Sequence, residues 1–133
     1  MAKPILVADT SDSDRRLSAI LAGHDVVFAR RLGEAYRLLA QREFELVMVG
    51  VHFDDSQMFD LVRHIRAGGS HATRPVACVR SHRFASAASI SLEGLQIAAR
   101  ALACNLFLDL TKYPDDARGN GEVRKLLDEL LTP

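Results

Sequence analysis

No stretch of this 133-residue sequence approaches the roughly twenty consecutive apolar residues needed to cross a bilayer, so a membrane-spanning protein is not expected. Neither sign of charge is in excess, with 17 Lys and Arg against 17 Asp and Glu. Such a balance offers no net field to draw a nucleic-acid backbone or an anionic membrane, and neither is expected as a partner. There are only two cysteines, Cys78 and Cys104. Both fall in apolar segments without CxxC or Cys/His spacing, and they are expected as buried free thiols. The histidines, His24, His52, His64, His71 and His82, are scattered and form no helical pair suited to zinc. A Gly-rich phosphate loop, a Ser-His-Asp order and paired catalytic carboxylates are all missing, so no enzyme, cofactor or metal is expected. Repeats, low-complexity tracts and interdomain linkers are missing too, and the expectation is one domain over residues 1–133. Met1-Ala2-Lys3-Pro4 runs straight into a strand with no signal peptide, which makes a cytoplasmic location the expectation.

What is present, at 48% hydrophobic and 26% charged residues, is an ordinary globular pattern in which apolar runs alternate with helical stripes. Lys3 to Ala8 reads as a strand ending at Asp9. Thr10-Ser11-Asp12-Ser13-Asp14 then supplies candidate N-caps for a helix carrying Leu17, Ile20 and Leu21. Asp25 to Ala29 is a second strand, and Leu32, Ala35, Tyr36 and Leu39 stripe a helix over Leu32 to Gln41. Leu46 to Val49 is a continuous apolar run, the mark of a strand buried on both faces. Met58, Leu61, Val62 and Ile65 define a third helix closed by Gly68-Gly69. Pro75 to Val79 is a fourth strand that tolerates proline at its opening. A helix from about Ile90 crosses the alanine-rich stretch to Ala103, Asn105 to Leu110 is a fifth strand, and Val123, Leu126, Leu127 and Leu130 stripe the last helix. This alternation predicts an α/β fold: a three-layer, doubly wound sandwich with right-handed crossovers around a five-stranded parallel sheet.

In open parallel sheets function collects at the carboxyl ends of the strands. Those ends carry Asp9-Thr10, Gly50, Arg80-Ser81 and Asp109-Leu110. The always-charged Arg80 either pairs with Asp9, Asp54 or Asp109 or stands solvated at a loop mouth. Asp54 and Asp55 follow Gly50; either they open the third helix, with Asp55 or Ser56 as its cap, or they offer a carboxylate near the strand ends. His52 and His82 each lie two positions beyond a strand end. They are read either as a pH-sensitive or metal-binding pair with Asp9 or as unligated loop imidazoles. Ile90, Leu92, Leu95 and Ile97 spread over more than one helical face, leaving one for a partner or a second copy unless the helix is packed under an extended loop.

Ile5-Leu6-Val7-Ala8-Asp9-Thr10 followed by Arg15-Arg16-Leu17, then Leu32-Gly33-Glu34-Ala35, then Phe44 through Arg66, stand in an order and spacing that resembles the receiver domain of bacterial two-component response regulators, the CheY-like family. The resemblance covers essentially the whole chain and implies a flavodoxin-like sheet in strand order 2-1-3-4-5. It also implies a pocket in which paired acids help hold Mg²⁺, an aspartate ending the third strand accepts a phosphoryl group, and a Thr or Ser and a Lys bind the phosphate. Position by position, only Asp9 survives. Thr10 stands for the second acid, Gly50 for the acceptor, Arg80 for the hydroxyl residue and Leu110 for the lysine, while Lys112 two positions on either swings back or is solvated. Glycine has no side chain with which to attack phosphorus or ligate a metal.

The expectation is therefore a degenerate pseudo-receiver, independent of phosphorylation, that works in signalling through a protein partner and by binding rather than turnover. Its degenerate pocket is Asp9, Thr10, Gly50, Arg80, Ser81, Asp109 and Leu110. Receivers commonly use the fourth helix with the last strand and helix for dimerisation or output. The resemblance thus makes Ile90, Leu92, Leu95 and Ile97 a candidate interaction surface and a homodimer one candidate state. Two alternatives stay open. One is a phosphorelay receiver with Asp54 or Asp55 as a displaced acceptor; the other is a small-ligand-binding flavodoxin-like protein or enzyme with its ligand above Gly50 near Arg80, Ser81 and His82.

Overall fold

Short apolar runs form five strands in a computed structural model that describes residues 3–82 and 91–132. They are β1 (Ile5–Ala8), β2 (Val26–Ala29), β3 (Leu46–Gly50), β4 (Val76–Arg80) and β5 (Leu106–Asp109). All pair in parallel in the order β2-β1-β3-β4-β5. The helices are α1 (Asp14–Ile20), α2 (Leu32–Gln41), α3 (Met58–Arg66), α4 (Leu92–Ala101) and α5 (Ala117–Leu131). The expected α/β sandwich and its strand order are both present. Among the described residues no helix is long and apolar enough to cross a membrane.

Side chains alternate across a strand, so each apolar run feeds two cores. Leu6, Ala8, Val47, Val49, Val76 and Cys78 pack with residues of α2, α3 and α4, including Leu39, Leu61 and Leu95. Ile5, Val7, Leu46, Met48, Ala77 and Val79 pack instead with Leu17, Ile20, Val123 and Leu127 of α1 and α5. Burial on both faces explains why β1 and β3 read as unbroken apolar runs rather than alternating ones.

Several boundaries differ from the sequence reading. β1 begins at Ile5, and β5 stops at Asp109, because Leu110 opens a 3₁₀ turn over Leu110–Lys112. α4 begins at Leu92, with the Ser91 hydroxyl accepting the Gly94 amide proton at 3.1 Å. Ile90 lies outside the described residues. The third helix is not capped by Asp55 or Ser56: its N-cap is Gln57, with no side-chain cap bond. The cause is a left-handed turn, with φ of 41° at Asp54, 60° at Asp55 and 64° at Ser56, in place of the extended backbone that an N-cap residue adopts. Asp54 turns instead to α2, where its Oδ2 accepts the Leu32 N–H at 2.8 Å and its Oδ1 meets Arg31 at 3.2 Å. An orphan amide of the first turn of α2 is thereby satisfied from a distant loop.

Arg16 ties α1 to the segment after β5. Its guanidinium donates to the carbonyls of Leu110, Tyr113 and Pro114 and to Asn120 Oδ1, at 2.9 to 3.0 Å. The first turn of α5 meets the same segment so closely that a Cβ on Gly119 would overlap the Pro114 carbonyl. These contacts hold α1, which follows β1, and the start of α5 against the segment that leaves β5.

Candidate functional site

Asp9 is the first residue past β1 and is buried, 3% exposed. Its Oδ1 accepts the Thr10 N–H at 2.8 Å, and its Oδ2 accepts the Ser13 hydroxyl at 2.8 Å and the Ser81 hydroxyl at 3.3 Å. The two serine oxygens are 2.7 Å apart, so a turn after β1 and the loop after β4 close on one carboxylate. Beneath it lies Gly50, the last residue of β3. A Cβ built on Gly50 would overlap Oδ1, Cγ and Oδ2 of Asp9 together. The carboxylate thus fills the space that any side chain at position 50 would occupy. Burial pushes the Asp9 carboxyl above its ordinary range, and the hydrogen bonds from Ser13, Thr10 and Ser81 only partly offset this.

The His52 and His82 rings stack beside this group, with centroids 4.5 Å apart and planes 12° apart. Burial pushes the His52 pKa below the usual value, the neighbouring His82 adds to that, and Asp9 opposes it. At the far side, strand register sets Arg80 level with Asp109. Arg80 Nη1 donates to Asp109 Oδ2 at 2.9 Å, with the two side chains 13% and 5% exposed. Burial works to raise the Asp109 carboxyl. It is outweighed by hydrogen bonds from the Thr111 hydroxyl at 2.6 Å and amide at 3.1 Å and by Arg80, and the net direction is down.

The structure therefore gathers Asp9, Gly50 and Ser81, stacks His52 on His82, and selects Asp109 from the three carboxylates proposed for Arg80. It does not bring Leu110 into the pocket: the side chain is buried among Val79, Leu108 and Val123, because the chain turns at the end of β5. Thr10 contributes its amide, while its hydroxyl is buried without a hydrogen-bond partner among the described residues. Asp55 and Lys112 are exposed, and Asp54 is engaged at α2. On α4, Leu95 belongs to the core rather than to an outer surface, Leu92 is half-buried, and Ile97 is 62% exposed. The sequence reading missed Ser13 and Thr111 as parts of the site. Their signals were short-range: Ser13 lies four residues after Asp9 in a turn-forming segment, and Thr111 lies two after Asp109, the spacing of an Asx-type turn.

A hard divalent cation such as Mg²⁺ needs several unencumbered oxygen ligands. Asp9 already accepts from Thr10, Ser13 and Ser81, and Asp109 from Arg80 and Thr111. Gly50 brings no ligand, and the residues present do not fit such an ion. No group of three or more His, Cys, Asp and Glu arranged to hold a metal occurs among the described residues.

No protein-family model matches the chain, and no curated protein matches it in sequence. Solved structures do. A putative response regulator from Chloroflexus aurantiacus superposes with a TM-score of 0.77 at 18% identity, over 98% of each chain. A signal receiver domain of a two-component histidine kinase from Clostridium thermocellum gives 0.75 at 14% identity, over 100% of each chain. The Vibrio cholerae chemotaxis protein CheY4 gives 0.73 at 19% identity, over 98% of each chain. The chain thus has the CheY-like, flavodoxin-like fold of receiver domains, and these neighbours are proteins of two-component signalling.

Proposed function

We propose that this chain is a receiver-like signalling domain that works without phosphorylation, through contact with a protein partner. The observation that carries this reading is the Asp9 carboxylate over Gly50, in the space a side chain at position 50 would need. Glycine there supplies no nucleophile. The Arg80–Asp109 ion pair places a fixed positive charge and its counter-charge at neighbouring strand ends, where a phosphate and its metal would otherwise be balanced. Asp54, the alternative acceptor, is committed to the α2 N-terminus. The chemistry is then binding rather than turnover, and the exposed Ile97 face of α4 is the surface on which a partner or second copy docks.

Incubation with a small-molecule phosphodonor and Mg²⁺, read by intact mass, is expected to leave the chain unmodified. A phosphoryl addition abolished by Asp54→Asn or Asp55→Asn would replace this reading with a displaced acceptor. Sedimentation at high micromolar concentration distinguishes a second copy from a different partner, and Ile97→Lys is expected to weaken whichever association forms.

A further inference from the structure

Cys78 and Cys104 are free thiols whose sulfur atoms lie 2.7 Å apart, although the two residues are 26 positions apart in sequence. That is closer than sulfur van der Waals contact and about 0.7 Å longer than a disulfide bond. The environments of the two thiols are unequal. Cys78 sits within β4, fully buried in the core that contains Leu95 and Ala99. Cys104 sits in the connection between α4 and β5, partly exposed, and lines an open cleft of about 290 Å³ with Gln96, Arg100 and Phe107. On either side of Cys104 the Arg66 guanidinium donates to the Ala103 carbonyl at 2.8 Å and to Asn105 Oδ1 at 2.9 Å, which brings a fixed cation to this segment.

We propose that Cys78 and Cys104 form a redox pair that a hydroperoxide converts into an intrachain disulfide. The roles follow from position. Cys104 is reachable from the cleft, and its thiol is held below the usual range by the hydrogen bond from Cys78 and by Arg66. Cys78 is fully buried and shares that contact, and its thiol is pushed up. The Cys104 thiolate attacks the terminal peroxide oxygen, and the O–O bond breaks. The leaving oxygen takes up a proton as alcohol or water, and Cys104 becomes a sulfenic acid. The Cys78 sulfur then attacks the Cys104 sulfur. The S–O bond breaks, and hydroxide departs as water with the Cys78 proton. In sum, two thiols and one hydroperoxide give one disulfide, one alcohol and one water. Because Cys104 lies in a connection rather than inside α4 or β5, the small closing movement needs no break in either element. The product would fasten the α4–β5 connection to β4, two residues before Arg80.

The test is exposure of the folded chain to a slight excess of hydrogen peroxide, followed by intact mass, thiol alkylation under denaturing conditions and non-reducing peptide mapping. The expected result is a monomer lighter by about 2 Da, with no alkylatable thiol, a peptide pair joining Cys78 to Cys104, and full reversal by a dithiol reductant. Cys78→Ala is expected to stop at a Cys104 sulfenic acid that dimedone traps, and Cys104→Ser to leave Cys78 reduced. Two thiols still alkylatable in the wild type would overturn the proposal, as would covalent dimers or added oxygen without a crosslink.

Discussion

The carboxylate of Asp9 stands where a side chain on Gly50 would stand, so the two residues divide one small volume between them. Asp9 can lie across the end of β3 only because position 50 is glycine. The pairing depends on β1 and β3 being neighbours in register, with Ala8 level with Val49. The arrangement explains how a buried acid is accommodated here, and it makes position 50 sensitive to even one added carbon.

Gly50→Ala is expected to cost about 1–3 kcal/mol, the usual range for forcing extra volume into a packed site. Asp9→Ala in the same chain should remove most of that penalty. Urea denaturation of the two single variants and the double variant measures the coupling. Strictly additive costs would mean that the two side-chain volumes are independent.

Asp9 also predicts a pH dependence. Its folded pKa is above its unfolded value, so the stability it contributes is fully present below the unfolded value and is lost as pH rises through the folded one. Asp9→Asn, which keeps an acceptor for the Thr10 amide, is expected to melt higher than the wild type at neutral pH. The advantage should shrink as pH falls toward about 4. Melting curves between those limits check the sign, and an advantage that grows on acidification contradicts the burial argument.

For Arg80 and Asp109 the sign is opposite. The folded pKa of Asp109 is lowered, so its contribution is present above the unfolded value and is lost as pH falls through the folded one. Arg80→Met strands a buried carboxylate and is expected to cost about 3 kcal/mol at neutral pH. Adding Asp109→Leu should recover much of it, because the uncompensated charge leaves with the carboxylate. Chemical denaturation of the wild type, the single variant and the double variant decides between this and a weak surface pair.

The cap that Asp54 places on α2 is expected to be worth about 1 kcal/mol, lost in Asp54→Ala. Ser56→Gly, by contrast, is expected to stabilise by up to about 1 kcal/mol, since φ of 64° suits glycine better than a residue with a Cβ. Thermal melts of both variants test the loop geometry, and the two shifts should run in opposite directions.

Much of the architecture was legible along the chain, because a strand covered by helices on both sides has to be apolar at every position. Leu46 to Val49 announced itself that way, and Met58, Leu61, Val62 and Ile65 announced a helix by period alone. Ends were less legible. β5 was read through Leu110, since leucine continues the apolar run, but the backbone turns after Asp109 and Leu110 enters the core beneath the turn. Leu95 was grouped with Ile97 as surface. A stripe does not say which side faces the sheet until the neighbouring strands are in place.

The residues themselves determined that this chain forms alternating strands and helices, that position 50 carries no functional group, and that Asp9, Arg80 and Ser81 stand at strand ends. These follow from local pattern and side-chain chemistry, which need no partner. Only the tertiary structure decided which carboxylate Arg80 meets, that Ser13 and Ser81 close on Asp9, that Asp54 caps α2, and that Cys78 touches Cys104. Apart from Ser13, which lies four residues from Asp9, each of these is a contact between segments distant in sequence, 72 positions for Ser81 and Asp9. Such distances are closed by parallel strand order and register, which no short window of sequence contains.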